Sequence, residues 1–212
     1  MQGTTWIGPL AVGDFNEDGK QHLVLAVNGA EAVILLGNGD GTFTQQPIYP
    51  NSPGFLQARV VDVNGDGHLD LVLACDGGLS VGLGKGDGTL TYAGLAAGEM
   101  PGSFFSLAVA DFNGDGKLDI AAVDYGYSLG SLDFWAGNGD GTFATPTSAS
   151  VNLTGPGSIA SGDFNGDGKQ DVLIGYPNAA FIAFGNGDGS FNLALTSLEA
   201  IYLNSGETPQ AA

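Results

Sequence analysis

An all-β fold of four repeated sheets, set as the blades of a propeller, is predicted by three features of this 212-residue sequence. An acidic nonapeptide occurs four times, starting at Asp14, Asp62, Asp111 and Asp163, with spacings of 48, 49 and 52 residues. A glycine-rich turn keeps the same beat at residues 37–43, 84–90, 137–143 and 185–191. The segments between them are short, apolar runs bounded by Gly, Pro, Asn and Ser. A regular period of this length with strand-like texture marks propeller blades, which bury their faces only by stacking on neighbours.

Each unit reads as four strands. In the third they cover residues 104–110, 118–123, 131–136 and 142–150, and in the first 10–13, 23–27, 33–36 and 42–48. The blades are bounded at about 5–50, 51–100, 101–152 and 153–198, with a C-terminal tail from about 199 to 212. Runs such as Leu69-Asp70-Leu71-Val72-Leu73-Ala74 are almost continuously apolar and suit strands buried on both faces. The first strands carry small residues (Ala58, Ala108 and Ala160 among them), which fit a crowded central axis. In an antiparallel meander the nonapeptides (strands 1–2) and the glycine turns (strands 3–4) fall on one face. The 2–3 and 4–1 connections fall on the other.

The nonapeptides have the donor ladder of a Ca²⁺ loop. Ca²⁺ takes about six to eight oxygens, and a short loop supplies them from alternate positions. Positions 1, 3 and 5 are Asp14, Asn16 and Asp18; Asp62, Asn64 and Asp66; Asp111, Asn113 and Asp115; and Asp163, Asn165 and Asp167. The position-7 carbonyls of Lys20, His68, Lys117 and Lys169 add a fourth oxygen. Gly19, Gly67, Gly116 and Gly168 stand at position 6, where a positive φ is needed. Position 12, the closing Glu of an EF-hand, is apolar in all four copies, so Asp70, Asp119 and Asp171 at position 9 are expected to close the shell. Loop 1 departs from this pattern, with His22 at position 9 and Glu17 where the others have Gly. Three strong Ca²⁺ sites and a weaker or empty first one are expected.

A net charge of −18 is mostly explained by these motifs, because 15 of the 23 acidic residues are aspartates at ligand positions of the loops or in the glycine turns. Four bound Ca²⁺ would reduce it to −10. Only five basic residues are present, three of them inside the loops, so no basic patch exists for nucleic acid. The lone Cys75 reads as a small core side chain. No apolar span is long enough to cross a membrane. No export signal is evident, so an extracellular location is expected from the calcium chemistry, which suits weak sites of about 10⁻⁴–10⁻³ M.

The eight motifs resemble the FG-GAP/VCBS repeats of integrin α-subunit-like β-propellers. They are similar above all to bacterial secreted proteins with Leu-Gly-Asn-Gly-Asp-Gly-Thr-Phe units. The resemblance covers roughly residues 5–195, and the family's Gly-Ala-Pro element is only echoed, at Gly175-Tyr176-Pro177. It implies one Ca²⁺ per loop-bearing blade and roles in adhesion or in matrix or glycan recognition. Some fungal lectins of this type hold sugars between blades. Family members usually close with more blades than four. The chain is therefore an excerpt of a longer propeller, a closed four-blade ring, or half of a two-chain ring. Self-association is the favoured expectation, because an open array exposes the faces of its end blades.

No catalytic machinery is legible. Both histidines lie in the metal loops, and no phosphate loop or dinucleotide fingerprint is present. Asp124 and Asp133 flank the longest 2–3 loop and are expected to be solvated loop-edge carboxylates. Trp6, Trp135 and the motif phenylalanines (Phe15, Phe43, Phe112 and Phe164 among them) are expected in the core. Tyr49, Tyr125, Tyr127 and Tyr176 fall in connections opposite the metals and are candidate sugar-stacking residues. The expected function is non-catalytic extracellular recognition of a glycan or protein ligand. The alternatives are a purely structural, self-assembling module and an accessory domain of a secreted polysaccharide-degrading enzyme.

Overall fold

The computed structural model describes residues 11–27, 31–46, 55–75, 78–95, 104–124, 130–151, 157–176 and 179–193. Blade 1 consists of β1 (Ala11–Gly13), β2 (His22–Val27), β3 (Glu31–Gly37) and β4 (Phe43–Gln45). Blade 2 consists of β5 (Phe55–Val61), β6 (Asp70–Cys75), β7 (Gly78–Gly84) and β8 (Leu90–Leu95). Blade 3 consists of β9 (Phe104–Ala110), β10 (Asp119–Asp124), β11 (Ser131–Trp135) and β12 (Thr147–Ser150). Blade 4 consists of β13 (Ser158–Gly162), β14 (Asp171–Tyr176), β15 (Ala179–Gly185) and β16 (Phe191–Asn192). Each blade is a separate antiparallel sheet in chain order.

The first hairpin has the same register in every blade. The position-9 residue pairs with the residue that precedes the loop: His22 with Gly13, Asp70 with Val61, Asp119 with Ala110, and Asp171 with Gly162. A one-residue slip would turn every side chain to the wrong face, so this register fixes the packing. Leu71, Leu73 and Cys75 of β6 enter the cluster shared with blade 1, whereas Val72 and Ala74 enter the one shared with blade 3. A third cluster joins blades 3 and 4 through Phe112, Leu132 and Phe134 on one side and Val172 and Ile174 on the other. The inner strands are thus buried on both faces, and each fully buried Leu or Ile contributes roughly 1.5–3 kcal/mol of transfer energy. Trp135 and Cys75 are core residues as expected. Trp6 lies outside the described residues.

The structure corrects the sequence reading at three points. The strand expected over 142–150 is split: Phe143 forms an isolated bridge with Gly137, and regular pairing resumes at Thr147. Pro146 lies in the interruption and has no N–H to donate. Phe43 and Phe164 are not core residues but are 45% and 44% exposed, while their equivalents Phe143 and Phe112 are buried. The buried ones pack on an adjacent blade, whereas Phe43 of blade 1 and Phe164 of blade 4 face no other blade among the described residues.

Candidate metal centres

Loops 2, 3 and 4 have one backbone path, set by their glycines. In loop 2, Gly65 and Gly67 take φ of 72° and 90°, which turns successive N–H groups inward. Asp62 accepts these through Oδ1 from Gly65 (2.7 Å) and Asp66 (3.2 Å), and through Oδ2 from Gly67 (2.9 Å). The Asn64 side-chain oxygen accepts from the Asp66 N–H at 3.0 Å, and Asp66 accepts from the His68 N–H at 2.8 Å. Asp111, Asn113 and Asp115 repeat the pattern in loop 3, as do Asp163, Asn165 and Asp167 in loop 4. Side-chain oxygens from positions 1, 3 and 5 are thereby held in one short loop, an arrangement with the chemistry to hold a hard cation. The backbone N–H bonds, that from His68 first, hold Asp66 below the usual carboxylate range; for Asp163 the leading donor is Gly168.

The position-9 aspartates have a second duty that the sequence reading missed. Asp70 is fully buried; its Oδ2 accepts from the Val63 N–H and its Oδ1 from the Gly84 N–H, both at 2.8 Å. Asp119 likewise spans Phe112 and Gly137, and Asp171 spans Phe164 and Gly185. The carboxylate therefore ties the metal loop to the first glycine of the glycine turn. A signal was available, since that turn always opens with Gly. A Cβ at Gly84 or Gly137 would collide with the carbonyl oxygen of Leu69 or Leu118, directly before the aspartate. Burial pushes Asp70 and Asp119 up, backbone hydrogen bonds oppose this, and neighbouring loop carboxylates push up again. Each oxygen of Asp70 accepts one backbone bond and retains a lone pair for a cation, whose charge would relieve that repulsion, whereas Asp119 accepts also from the backbone and side chain of Asn113.

Loop 1 is built differently. His22 is fully buried, and its Nδ1 accepts from the Phe15 N–H at 3.1 Å, the role that the aspartate Oδ2 plays elsewhere. With Nδ1 as acceptor, the proton of the neutral ring resides on Nε2. That atom has no hydrogen-bond partner among the described residues and lies 3.6 Å from Asp18 Oδ1. Asp14, Asp18 and His22 offer ligand atoms within 4.8 Å of one another. Even so, an Nε2–H presents a proton to a cation rather than an oxygen. Lys20 Nζ lies 3.1 Å from Asp18 Oδ2 and its hydrogen bond lowers that carboxyl. Glu17 takes a φ of 60°, rare for a residue with a side chain, and its carboxylate bonds His68 Nδ1 of the next loop, which raises the His68 pKa.

The remaining candidates separate. Asp133 is not a solvated loop-edge acid but is fully buried in β11, where its Oδ2 accepts from Ser131 Oγ at 3.0 Å. It lies within a strand that neighbouring blades bury on both faces, and burial pushes its pKa up. The side chain of Asp124 and that of Tyr176, the last residue of β14, lie outside the described residues, as do Tyr49, Tyr125 and Tyr127 altogether. A described cleft of about 580 Å³ lies instead between blades 3 and 4 on the metal-loop face. Asp111, Ser161, Lys169, Gln170 and Asn186 line it. Sequence reasoning missed it because its walls come from loops some fifty residues apart. No helix among the described residues is long and apolar enough to cross a membrane.

Comparison with known proteins agrees with the architecture. A family model for an FG-GAP-like repeat matches residues 14–73 and 62–122, and one for the FG-GAP repeat matches 155–191. A search of curated proteins gave no significant match. Among solved structures, a lectin from Agrocybe aegerita, described as recognising non-reducing terminal N-acetylglucosamine, is similar with a TM-score of 0.60 at 21% identity. The match covers 89% of this chain and 52% of the lectin, so the chain spans about half that protein's length. The likeness extends to the β-propeller fold.

Proposed function

Because the chain belongs to the FG-GAP repeat family, with four antiparallel blades of a β-propeller, we propose that it is a calcium-stabilised, non-catalytic recognition module. Ca²⁺ is assigned to loops 2, 3 and 4. The supporting observation is the buried Asp70 carboxylate beside the donor ladder of its loop, its pKa raised first by burial and to a lesser degree by the like-charged Asp66 and Asp62. Hard carboxylate, amide and carbonyl oxygens without thiolates suit Ca²⁺ rather than a softer metal. Bound there, Ca²⁺ supplies charge neutralisation. The chain's own residues supply the link onward, since Asp70, Asp119 and Asp171 couple each loop to the neighbouring turn of the same blade. Loop 1 is the weak site, with a protonated ring nitrogen where the others have a carboxylate oxygen.

Recognition of a glycan in an extracellular setting is the reading that fits best. The likeness to a propeller lectin supports it, as does the cleft beside Lys169 and Asn186, which offers amine, amide, hydroxyl and carboxylate groups to sugar hydroxyls. A glycan array probed with the full chain in millimolar Ca²⁺ tests it. Binding that disappears in EDTA and weakens in Asn186→Ala supports the reading. Failure to bind any glycan while the blades remain calcium-dependent would leave the structural-module alternative.

A further inference from the structure

One blade junction holds a carboxylate at the place where another is open. Between blades 1 and 2, the Glu17 carboxylate of loop 1 bonds the His68 ring of loop 2. Both groups rest on the turn glycine Gly86, where a Cβ would lie 2.6 Å from the His68 ring and 2.9 Å from Glu17 Oε1. Glu17 keeps a φ of 60° at a position that is Gly65, Gly114 and Gly166 in the other loops. A left-handed backbone is unfavourable for a residue with a side chain, so the bond to His68 stands against a conformational cost.

The junction of blades 3 and 4 has the same frame without the acid. Lys169 holds the place of His68 and lies on Gly187, the equivalent of Gly86, where a Cβ would stand 3.1 Å from Lys169 Cδ. Gly114 holds the place of Glu17 and faces the Gly187 carbonyl oxygen, 3.6 Å from where its own Cβ would be. With no side chain at 114, the space is the cleft beside Lys169 and Asn186. Lys20 Nζ of loop 1 bonds Asp18. Lys169 Nζ instead lies 3.9 Å from Asp167 Oδ2 and makes no hydrogen bond among the described residues, although an ammonium has three donors.

We infer that this cleft is a carboxylate site, in which Lys169 takes the acid group of a sugar acid as His68 takes that of Glu17. That the acid belongs to a sugar rests on the proposed glycan recognition; that it is an acid rests on the Glu17–His68 pair. Ser161, Gln170 and Asn186 are left for the sugar hydroxyls. Asp111 in the cleft wall and Asp167 beside the lysine oppose an anion. Asp14 and Asp66 hold those two places between blades 1 and 2, where the Glu17 carboxylate is accommodated all the same. Asp111 and Asp167 are ligand positions of loops 3 and 4, so the site is tested with calcium present.

The experiment follows the backbone amide signals of Gly114, Asn186 and Gly187 by NMR in millimolar Ca²⁺ at constant ionic strength, during titration with methyl glucuronide, methyl glucoside and acetate. Blades 2 and 3 repeat the pair as Gly65 and Lys117, so signals that report one cleft are needed. Methyl glucuronide should bind at least about tenfold more tightly than methyl glucoside, the worth of one charge-assisted hydrogen bond. Acetate should shift the same signals. Lys169→Gln should remove both effects. So should Gly114→Glu, which supplies an internal carboxylate from a backbone at φ 76°; if that variant fails to fold, Lys169→Gln decides. Equal affinity for the two sugars would overturn the carboxylate site and leave glycan recognition standing. Acetate binding with neither sugar bound would keep the carboxylate site and sink glycan recognition. No shift with any probe, or shifts indifferent to Lys169→Gln, would overturn the inference.

Discussion

Replacing a turn glycine by alanine at two equivalent positions separates blade docking from backbone strain. Gly189 and Gly41 hold the same place in the turns of blades 4 and 1, with φ of 82° and 87°. Alanine in that region costs roughly 1–2 kcal/mol at either position. At Gly189 the added Cβ would also lie 2.6 Å from Phe134 Cζ, well inside van der Waals contact. The ring cannot swing away freely, because Phe112 and Phe191 pack on it with centroids at 6.3 and 6.2 Å. Overpacking of this kind costs about 1–3 kcal/mol. At Gly41 nothing among the described residues lies within 4 Å. The strain term cancels in the difference, so Gly189→Ala should be less stable than Gly41→Ala by about 1–3 kcal/mol. Urea unfolding of dilute protein in Ca²⁺ reads this as a lower midpoint at unchanged slope. Equal losses for the two variants would refute the packing described for the blade 3–4 junction.

Three further outcomes are expected. Phe112→Ala should cost about 3–5 kcal/mol, as for a fully buried aromatic, while Phe164→Ala in the identical local sequence should stay within about 0.5 kcal/mol in dilute monomer; paired thermal melts check this. In EDTA the melting temperature should rise as pH falls from neutral toward the unfolded carboxylate value of 3.8. Asp70, Asp119 and Asp133 have raised folded pKa values, so the stability they contribute is complete below 3.8 and lost as pH rises through those values. Asp66 and Asp163, which are lowered, act in the opposite sense and only below 3.8. In millimolar Ca²⁺ the acid-side gain should vanish, because protons then compete with the metal; a pH series of melts with and without chelator decides. Asp115→Ala should abolish more of the calcium-induced rise in melting temperature than Asp14→Ala, and equal losses would show loop 1 to be a full site.

Much of this molecule was legible in the sequence because its information is repeated and local. The loop glycines, the apolar position-12 residues and the fifty-residue beat fixed the blades, and β9 runs over Phe104–Ala110 as expected. What was missed depends on neighbours that no single repeat contains. Phe112 and Phe164 sit in the same pentapeptide, yet one is 1% exposed and the other 44%, because Phe112 packs on blade 4 and no described blade packs on Phe164. Asp133 reads as a loop-edge acid until blades packed on both faces of β11 are seen to bury it. The double duty of Asp70 needs Gly84, fourteen residues on, to be seen beside it. The cleft at Lys169 and Asn186 exists only once two blades are juxtaposed.

The most direct test is a Ca²⁺ titration of the chelated chain by calorimetry, with the melting temperature followed in parallel. Loops 2, 3 and 4 should take up three ions per chain, with affinities in the extracellular range of about 10⁻⁴–10⁻³ M or tighter. At about 100 times the dissociation constant each site should add about 2.7 kcal/mol of stability. No heat of binding and no shift in melting temperature at millimolar Ca²⁺ would contradict the assignment of these loops to calcium.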